Sequence, residues 1–395
     1  MDVSIGISKL PEINSGTQFE NAKSRTWVEI NKSAVMHNLN QFKSIVGPET
    51  QLAVIAKSNA YGHGLLAMAQ ICQESSDANW LCVFSLTEAL IVRQNGFTKP
   101  ILVLGHMDAD LYLGVMHSVD MVAYDLDFIA QLNEIAKKLN TQAFVHIKID
   151  TGLSRLGVCS TDALELIKNA LKYTHVTIRG IFSHFSESDA RDQVFTRKQL
   201  QRFNNLFSEL KKLNISIQYI HSSNTSGIIR FDSCHFNFVR TGGGSYGLFK
   251  SVAIDQLGQR KHCINLKLAI SWKSRIMQIK NLAVGTYVSY ARTFVTARPT
   301  RVAIIPIGYW DGYNRNLSNK GMVYIHGVAA PVIGRVCMNM VIIDITDIQN
   351  VVVGDEVLLI GDKPGITPDD IALATGTINY EVTTRINPSI SRIII

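Results

Sequence analysis

Lys57 stands at the end of the apolar run LAVIAK (52–57) and is followed at once by the turn-like SNAYGHG. Its ammonium is therefore aimed out of the end of a buried strand. Other groups able to do chemistry sit at or near the ends of comparable runs. Lys148 and Asp150 close AFVHIKID (143–150), and Arg155 follows in KIDTGLSRLG. His184 lies at the end of IRGIFSHF (178–185), Asn224 and Thr225 at the end of QYIHSSNT, and Arg240 ends HFNFVR just before TGGGSYG. Cations, an imidazole and small hydrogen-bonding residues gathered in this way describe a pocket for an anionic ligand. Gly242, Gly243 and Gly244 let backbone N–H groups approach phosphate oxygens closely. The same stretch fits GxGxxG at Gly242, Gly244 and Gly247. A dinucleotide site, however, needs that motif in a first βαβ unit with an acid placed behind it. A cradle for one phosphate is the better reading. A lysine partly desolvated beside other cations has a lowered pKa, and its free amine can form a Schiff base with an aldehyde. An aldehyde cofactor that carries one phosphate and takes a charged partner at its ring nitrogen is pyridoxal 5′-phosphate. Taken singly, each residue has a plainer reading: a surface lysine, a core histidine, an arginine in a surface ion pair.

The elements that must position these groups are legible as short β-branched runs. Eight of them occur in the first two thirds of the chain: 52–57, 80–85, 100–105, 121–125, 143–150, 178–185, 218–224 and 235–240. Between most of them lie segments such as DFIAQLNEIAKKLN and RKQLQRFNNLFSELKKLN, whose apolar positions recur with helical period. Both end in Asn, which tolerates a left-handed C-cap. Eight strand–helix units point to a (β/α)8 TIM barrel, with functional groups at the C-terminal ends of the strands. From about residue 261 the texture changes to strand-like runs with turns between them, including TYVSYARTFV, RVAIIPIGY and MVYIHGVAAPVIGRVC. The expected organisation is an extension over 1–25, a barrel over 26–260 and a mainly β domain over 261–395.

Composition narrows the classes. Hydrophobic residues at 46% and charged residues at 18% describe a globular protein. The net charge of +7 is dispersed, with no basic run of the kind that binds nucleic acid. No apolar run approaches the ~20 residues of a membrane span. The N-terminal stretch lacks an apolar secretory core, which suggests a cytoplasmic chain. Six cysteines without a CxxC pair read as free thiols in a reducing compartment, not as disulfides or a zinc site. No metal-binding cluster is expected.

Taken together, these motifs resemble the bacterial alanine racemases, fold-type III pyridoxal-phosphate enzymes. AVIAKSNAYGHG, KIDTGLSRLG, GIFSHFSESD, HSSNTSG, NFVRTGGGSYG, VSYARTF, IGYWDGYNR and GRVCMNM are similar to that family's motifs, in order, from Trp27 to Arg392. The resemblance implies that Lys57 carries the cofactor and acts as one catalytic base. Tyr61, Thr225, Gly242 and Gly243 would hold the phosphate, with Asn224 beside them. Arg240 would meet the pyridine nitrogen, and His184 would link it to the catalytic tyrosine. Arg155 would contact cofactor and substrate carboxylate, oriented by Lys148, whose counterpart is often carbamylated. Tyr290 would be the second base and Met338 would offer its backbone N–H to the substrate. Both would reach in from the other subunit of a head-to-tail homodimer, and Tyr309 would stand at the entrance. The implied activity is interconversion of L- and D-alanine, supplying D-alanine for peptidoglycan.

Three positions depart from the family pattern. Asn339 replaces the usual Asp, Ser58 the usual Ala, and Pro388 is aligned with a tyrosine that contacts the phosphate. Losing that tyrosine would widen the pocket, so a broad-spectrum racemase acting on serine, lysine or arginine is the alternative, ahead of a non-catalytic cofactor carrier. A decarboxylase of the same fold type would use a cysteine and an acid where this chain has Tyr290 and Arg240.

Overall fold

The computed structural model describes residues 25–249 and 252–395. The expected extension over 1–25 thus lies, apart from Arg25, outside the described residues. Strand β1 (Thr26–Ile30) comes first, followed by eight strands of one sheet: β2 (Gln51–Ile55), β3 (Trp80–Ser85), β4 (Ile101–His106), β5 (Asp120–Ala123), β6 (Ala143–Asp150), β7 (Val176–Phe182), β8 (Tyr219–His221) and β9 (Phe238–Thr241). Each coincides with one of the eight runs read from the sequence, shifted by a few residues at the ends.

The eight strands are parallel and neighbour one another in the order β9-β2-β3-β4-β5-β6-β7-β8. The ring is nearly closed. A backbone hydrogen bond of ordinary length, from Arg240 N to Ser223 O, spans the remaining gap at 3.1 Å. Strands covered on both faces carry apolar residues on both. Ala53, Ile55, Trp80, Cys82, Leu102 and Phe238 pack inside the barrel, while Leu52, Val54, Leu81 and Val83 join the larger core. The helices behave as their periodicity implies. Leu126–Lys138 is capped by Asp125, whose side chain accepts from Phe128 N, and Asn140 just beyond it has φ 50°. Asn214, after helix Val194–Lys212, has φ 56°.

The remainder is mainly β. Strands β10 (Ile270–Arg275), β11 (Gln278–Leu282), β12 (Thr300–Ile305), β13 (Met322–Ile325), β14 (Val328–Pro331), β15 (Val341–Asp344), β16 (Glu356–Ile360) and β17 (Arg392–Ile394) build two sheets. One has the order β14-β13-β16-β10-β1-β17 and the other β11-β12-β15. One correction follows. Residues 26–30, expected at the start of the barrel, pair antiparallel with β10 and parallel with β17. The reason is burial: Trp27, Val28 and Ile30 are covered by this sheet's core and have no place in a ring already complete with eight strands.

From β1 the chain enters helix Lys32–Val46, N-capped by Asn31. Its Phe42 lies so close to Gly244 that a Cβ there would be 2.4 Å from the ring. The helix thus props the glycine turn that follows β9.

Candidate active site

Lys57 does not end a strand; it opens a turn of left-handed helix. Ser58, Asn59, Ala60 and Tyr61 have φ between 52° and 56°. Four consecutive non-glycine residues in this conformation cost on the order of 1–2 kcal/mol each, so the surroundings must impose it. Ser58 N donates to Glu88 Oε1 (2.8 Å) and Leu65 N to Asn59 Oδ1 (2.8 Å). The His63 ring nitrogen Nδ1 reaches Ala60 O and Tyr61 O, both at 3.1 Å. Arg392 donates to Gly62 O through Nε (3.2 Å) and Nη2 (3.0 Å). The reversal directs the side chains of Lys57 and Tyr61 into a cavity of about 520 Å³ at the C-terminal mouth of the barrel. Burial and the Arg155 guanidinium lower the Lys57 pKa, with Glu88 opposing. This is the free-amine tendency expected from the sequence.

The far wall of the cavity is a cradle. Gly242 N donates to Thr225 Oγ1 (3.1 Å). A Cβ on Gly242 would lie 2.7 Å from the Tyr61 hydroxyl, and one on Gly243 2.4 Å from that of Tyr380. Three hydroxyls thus gather against bare backbone, and a side chain on Gly242 or Gly243 would collide with that of Tyr61 or Tyr380 respectively. Burial pushes the Tyr61 phenol up to about 12 and raises that of Tyr380 as well, so both remain neutral donors. Asn224 lines the cavity too, but its Oδ1 accepts from Gly227 N (2.9 Å) and Ser188 Oγ (2.8 Å), shaping the turn that presents Thr225.

Arg240 is 2% exposed and rises from the barrel floor. Its guanidinium donates to His221 Nδ1 (2.5 Å), Ser183 O (2.7 Å) and Ser222 O (3.3 Å), and approaches His184 Nδ1 at 3.4 Å. Burial lowers its pKa only to about 10, so it stays a cation at neutral pH. The His184 imidazole is held well below its usual range by burial and by Arg240, and is neutral. Lys148, 5% exposed, is pushed down to about 8 by burial and by Arg155, Arg240 and Lys57. Asp150 opposes this shift only weakly. Its Oδ1 accepts from the backbone N of Gly152 (2.8 Å), Leu153 (2.9 Å) and Ser154 (3.2 Å), and so builds the loop that carries Arg155 to the cavity.

Two family models match this chain, the alanine racemase N-terminal domain over residues 30–250 and the alanine racemase C-terminal domain over 269–394. The chain belongs to the alanine racemase family. Among its relatives, alanine racemase 2 of Caldanaerobacter subterraneus subsp. tengcongensis is 37% identical over 374 residues, covering 94% of this chain and 95% of that protein. The structure of alanine racemase from Clostridium difficile 630 superposes with a TM-score of 0.88 at 31% identity, over 95% of this chain and 96% of that one. That of alanine racemase from Bartonella henselae, described with covalently bound pyridoxal phosphate, gives 0.80 at 27% identity, over 94% and 100%.

The alanine racemase motifs of the β domain lie elsewhere. Tyr290, Tyr309 and Met338 do not line this chain's own cavity. They share an exposed face, with Tyr290 70% and Met338 54% accessible. Tyr309 N donates to Cys337 O and Trp310 N to Met338 O, both at 3.0 Å, while Ser289 Oγ donates to Arg335 O at 2.7 Å. The backbone around Tyr290 is held in an unusual form, with φ 63° at Ser289 and 59° at Ala291. Tyr287, Trp310 and Met340, near them in the chain, are exposed as well.

One expectation from the alanine racemase pattern is overturned. Pro388 is exposed and lines no part of the cavity; Tyr380 supplies the phenol beside the cradle. Tyr380 stands eight residues ahead of Pro388, as the first residue of YEVTTRINP. No cradle hydroxyl is missing, and Pro388 does not widen the pocket.

Proposed function

We propose that this chain interconverts L- and D-alanine with pyridoxal 5′-phosphate as cofactor, by a two-base mechanism. The observation that carries the proposal is the convergence of Lys57, the Gly242–Gly243 cradle and Arg240 on one cavity. The fit is specific in chemistry. A primary amine depressed by its surroundings shares one cavity with a cradle for one phosphate and a buried cation.

When bound, pyridoxal phosphate supplies a ring that withdraws electrons from the substrate Cα and makes its proton removable. The chain's residues do the rest. Tyr61, Thr225 and Tyr380 would donate hydroxyls to the phosphate, beside the bare backbone of Gly242 and the N–H of Gly243. Arg240 donates to the ring nitrogen and keeps its own proton, which weakens the electron withdrawal and disfavours side reactions such as transamination. Lys57 holds the cofactor and moves the Cα proton on one face, serving the D-isomer. Arg155, oriented by Lys148, binds the substrate carboxylate. His184, accepting from Arg240 at Nδ1, has its Nε2–H left to donate toward the second base.

That base is Tyr290 of the partner subunit in a head-to-tail homodimer, serving the L-isomer, with the backbone N–H of the partner's Met338 on the carboxylate and the partner's Tyr309 at the entrance. The exposed apolar face on which these residues sit supports an interface, because such faces on soluble chains mark association sites. The product D-alanine serves peptidoglycan synthesis. A cytoplasmic setting is supported by six unpaired cysteines, three of them buried.

Incubation of the purified chain with cofactor and L-alanine, followed by chiral separation, tests the proposal. Equal amounts of the two enantiomers are expected. A protein that binds the cofactor but leaves L-alanine unchanged would refute it.

A further inference from the structure

Below Arg240 the barrel interior holds a file of polar side chains that the proposed mechanism does not use. His221 Nδ1 receives Arg240 Nη1 at 2.5 Å, His221 Nε2 lies 2.9 Å from His146 Nδ1, and His146 Nε2 lies 3.3 Å from Asp120 Oδ2. Asp120 Oδ1 accepts from Arg179 Nη1 at 2.9 Å. Asp120, His146 and His221 are all fully buried. Among the described residues neither His146 Nε2 nor Asp120 Oδ2 has a hydrogen-bond partner other than this mutual approach.

The direction of the file follows from chemistry alone. A guanidinium only donates, so His221 Nδ1 must present its lone pair and the proton sits on Nε2. That proton is donated to His146 Nδ1, which places the His146 proton on Nε2, facing the carboxylate. His221 stays neutral, since burial and Arg240 hold its pKa well below the usual range. Each tautomer is thus set by the cation above it.

Space has been made for this arrangement. Asp120 opens β5, His146 lies on β6 and His221 ends β8, so the link from His146 to His221 must cross β7. There the chain has Gly180, and a Cβ at that position would lie 2.3 Å from His146 Nδ1. Phe182 stacks on His221 (4.8 Å, 6°) and Trp80 packs edge-on against His146 (5.6 Å), walling the file from water. Apolar side chains would fill the same volume without the cost of burying a carboxylate and two imidazoles.

We propose that Asp120, His146 and His221 are positioning residues for Arg240, a one-way file of N–H donation that fixes where the guanidinium points. This rests on the reading of Arg240 as the ring-nitrogen partner. With Nη1 and Nη2 anchored from below, Arg240 meets the cofactor in one orientation, and displacement of an anchor is felt at the reacting centre.

The test has two arms. In the cofactor-free protein labelled with ¹⁵N-histidine, nitrogen spectra should show His146 and His221 as neutral Nε2–H tautomers. In the loaded enzyme, Gly180→Ala and Asp120→Asn should each lower kcat roughly tenfold, as displaced orienting groups do, with KM for alanine little changed. Each should also move the ¹⁵N resonance of a ring-labelled cofactor. If Gly180→Ala does not fold, the near-isosteric Asp120→Asn carries the test. An Nδ1–H tautomer or an imidazolium at either histidine would overturn the file. Correct tautomers with kcat and ring resonance unchanged in the variants would overturn its positioning role. A ring resonance insensitive to Arg240→Lys would refute the cofactor reading instead, leaving the tautomer result standing.

Discussion

A Cβ built on Gly62 would lie 1.9 Å from the carbonyl oxygen of Thr383. The left-handed turn after Lys57 is therefore pressed directly against helix Asn379–Thr384, the element that also carries Tyr380 into the cavity. Gly62 itself has φ 84°. Gly62→Ala must either strain this backbone or separate the two elements. It should cost about 2 kcal/mol of stability, measured by denaturant unfolding, and weaken cofactor retention in dialysis. Unchanged stability and retention would show that the contact is slack.

Tyr290→Phe removes only the hydroxyl of the proposed second base. The two faces of the substrate should then separate. Exchange of the Cα proton of L-alanine with solvent deuterium should fall by at least ~10²-fold, while exchange from D-alanine is retained better. Equal losses from both enantiomers would contradict the assignment of one base to each face.

Whether Tyr290 acts across an interface is open to complementation. Lys57→Ala and Tyr290→Phe should each be nearly inactive alone. Mixed and allowed to exchange subunits, they form heterodimers in which one of the two sites is fully intact if sites are shared. Activity should return to about a quarter of that of the unmodified enzyme under random exchange. If both residues serve the cavity of their own chain, mixing restores nothing.

Lys148 makes stability depend on pH. Its pKa is about 8 in the fold and near 10.4 in the unfolded chain. Between these values the unfolded state binds more protons, so stability rises with pH through this window, and the cost of burying the cation is fully present below it. In the cofactor-free protein, Lys148→Met should flatten that rise, by an amount of order 1 kcal/mol per pH unit at its steepest. Urea unfolding at a series of pH values measures it. An identical slope in both proteins would mean that Lys148 is solvated.

The barrel was legible because parallel strands buried on both faces leave continuous apolar runs, and because polar groups cluster where those runs end. The site residues on β6 to β9 and their following loops came out of the same rule. What could not be read is what tertiary contacts impose. In SNAY only Asn59 readily accepts a left-handed turn; Glu88 and Arg392, distant in the chain, hold the whole segment there. Strand β1 pairs with residues some 240 positions away, Thr26 opposite Ser274, so local pattern alone assigned it to the barrel. His146 lies within a run that reads as plain core and Asp120 just ahead of another, and only the barrel's curvature brings them to His221. Tyr380 was hidden by a shift in register among the turn-rich residues that follow it.

The central claim is that the amine of Lys57, among the lysines at this cavity, holds the cofactor. Borohydride reduction of the cofactor-loaded protein followed by peptide mapping tests it most directly. The pyridoxyl group is expected on Lys57 alone, and Lys57→Ala should leave the protein unlabelled and colourless. A label on Lys148, or a reduced protein carrying none, would contradict it.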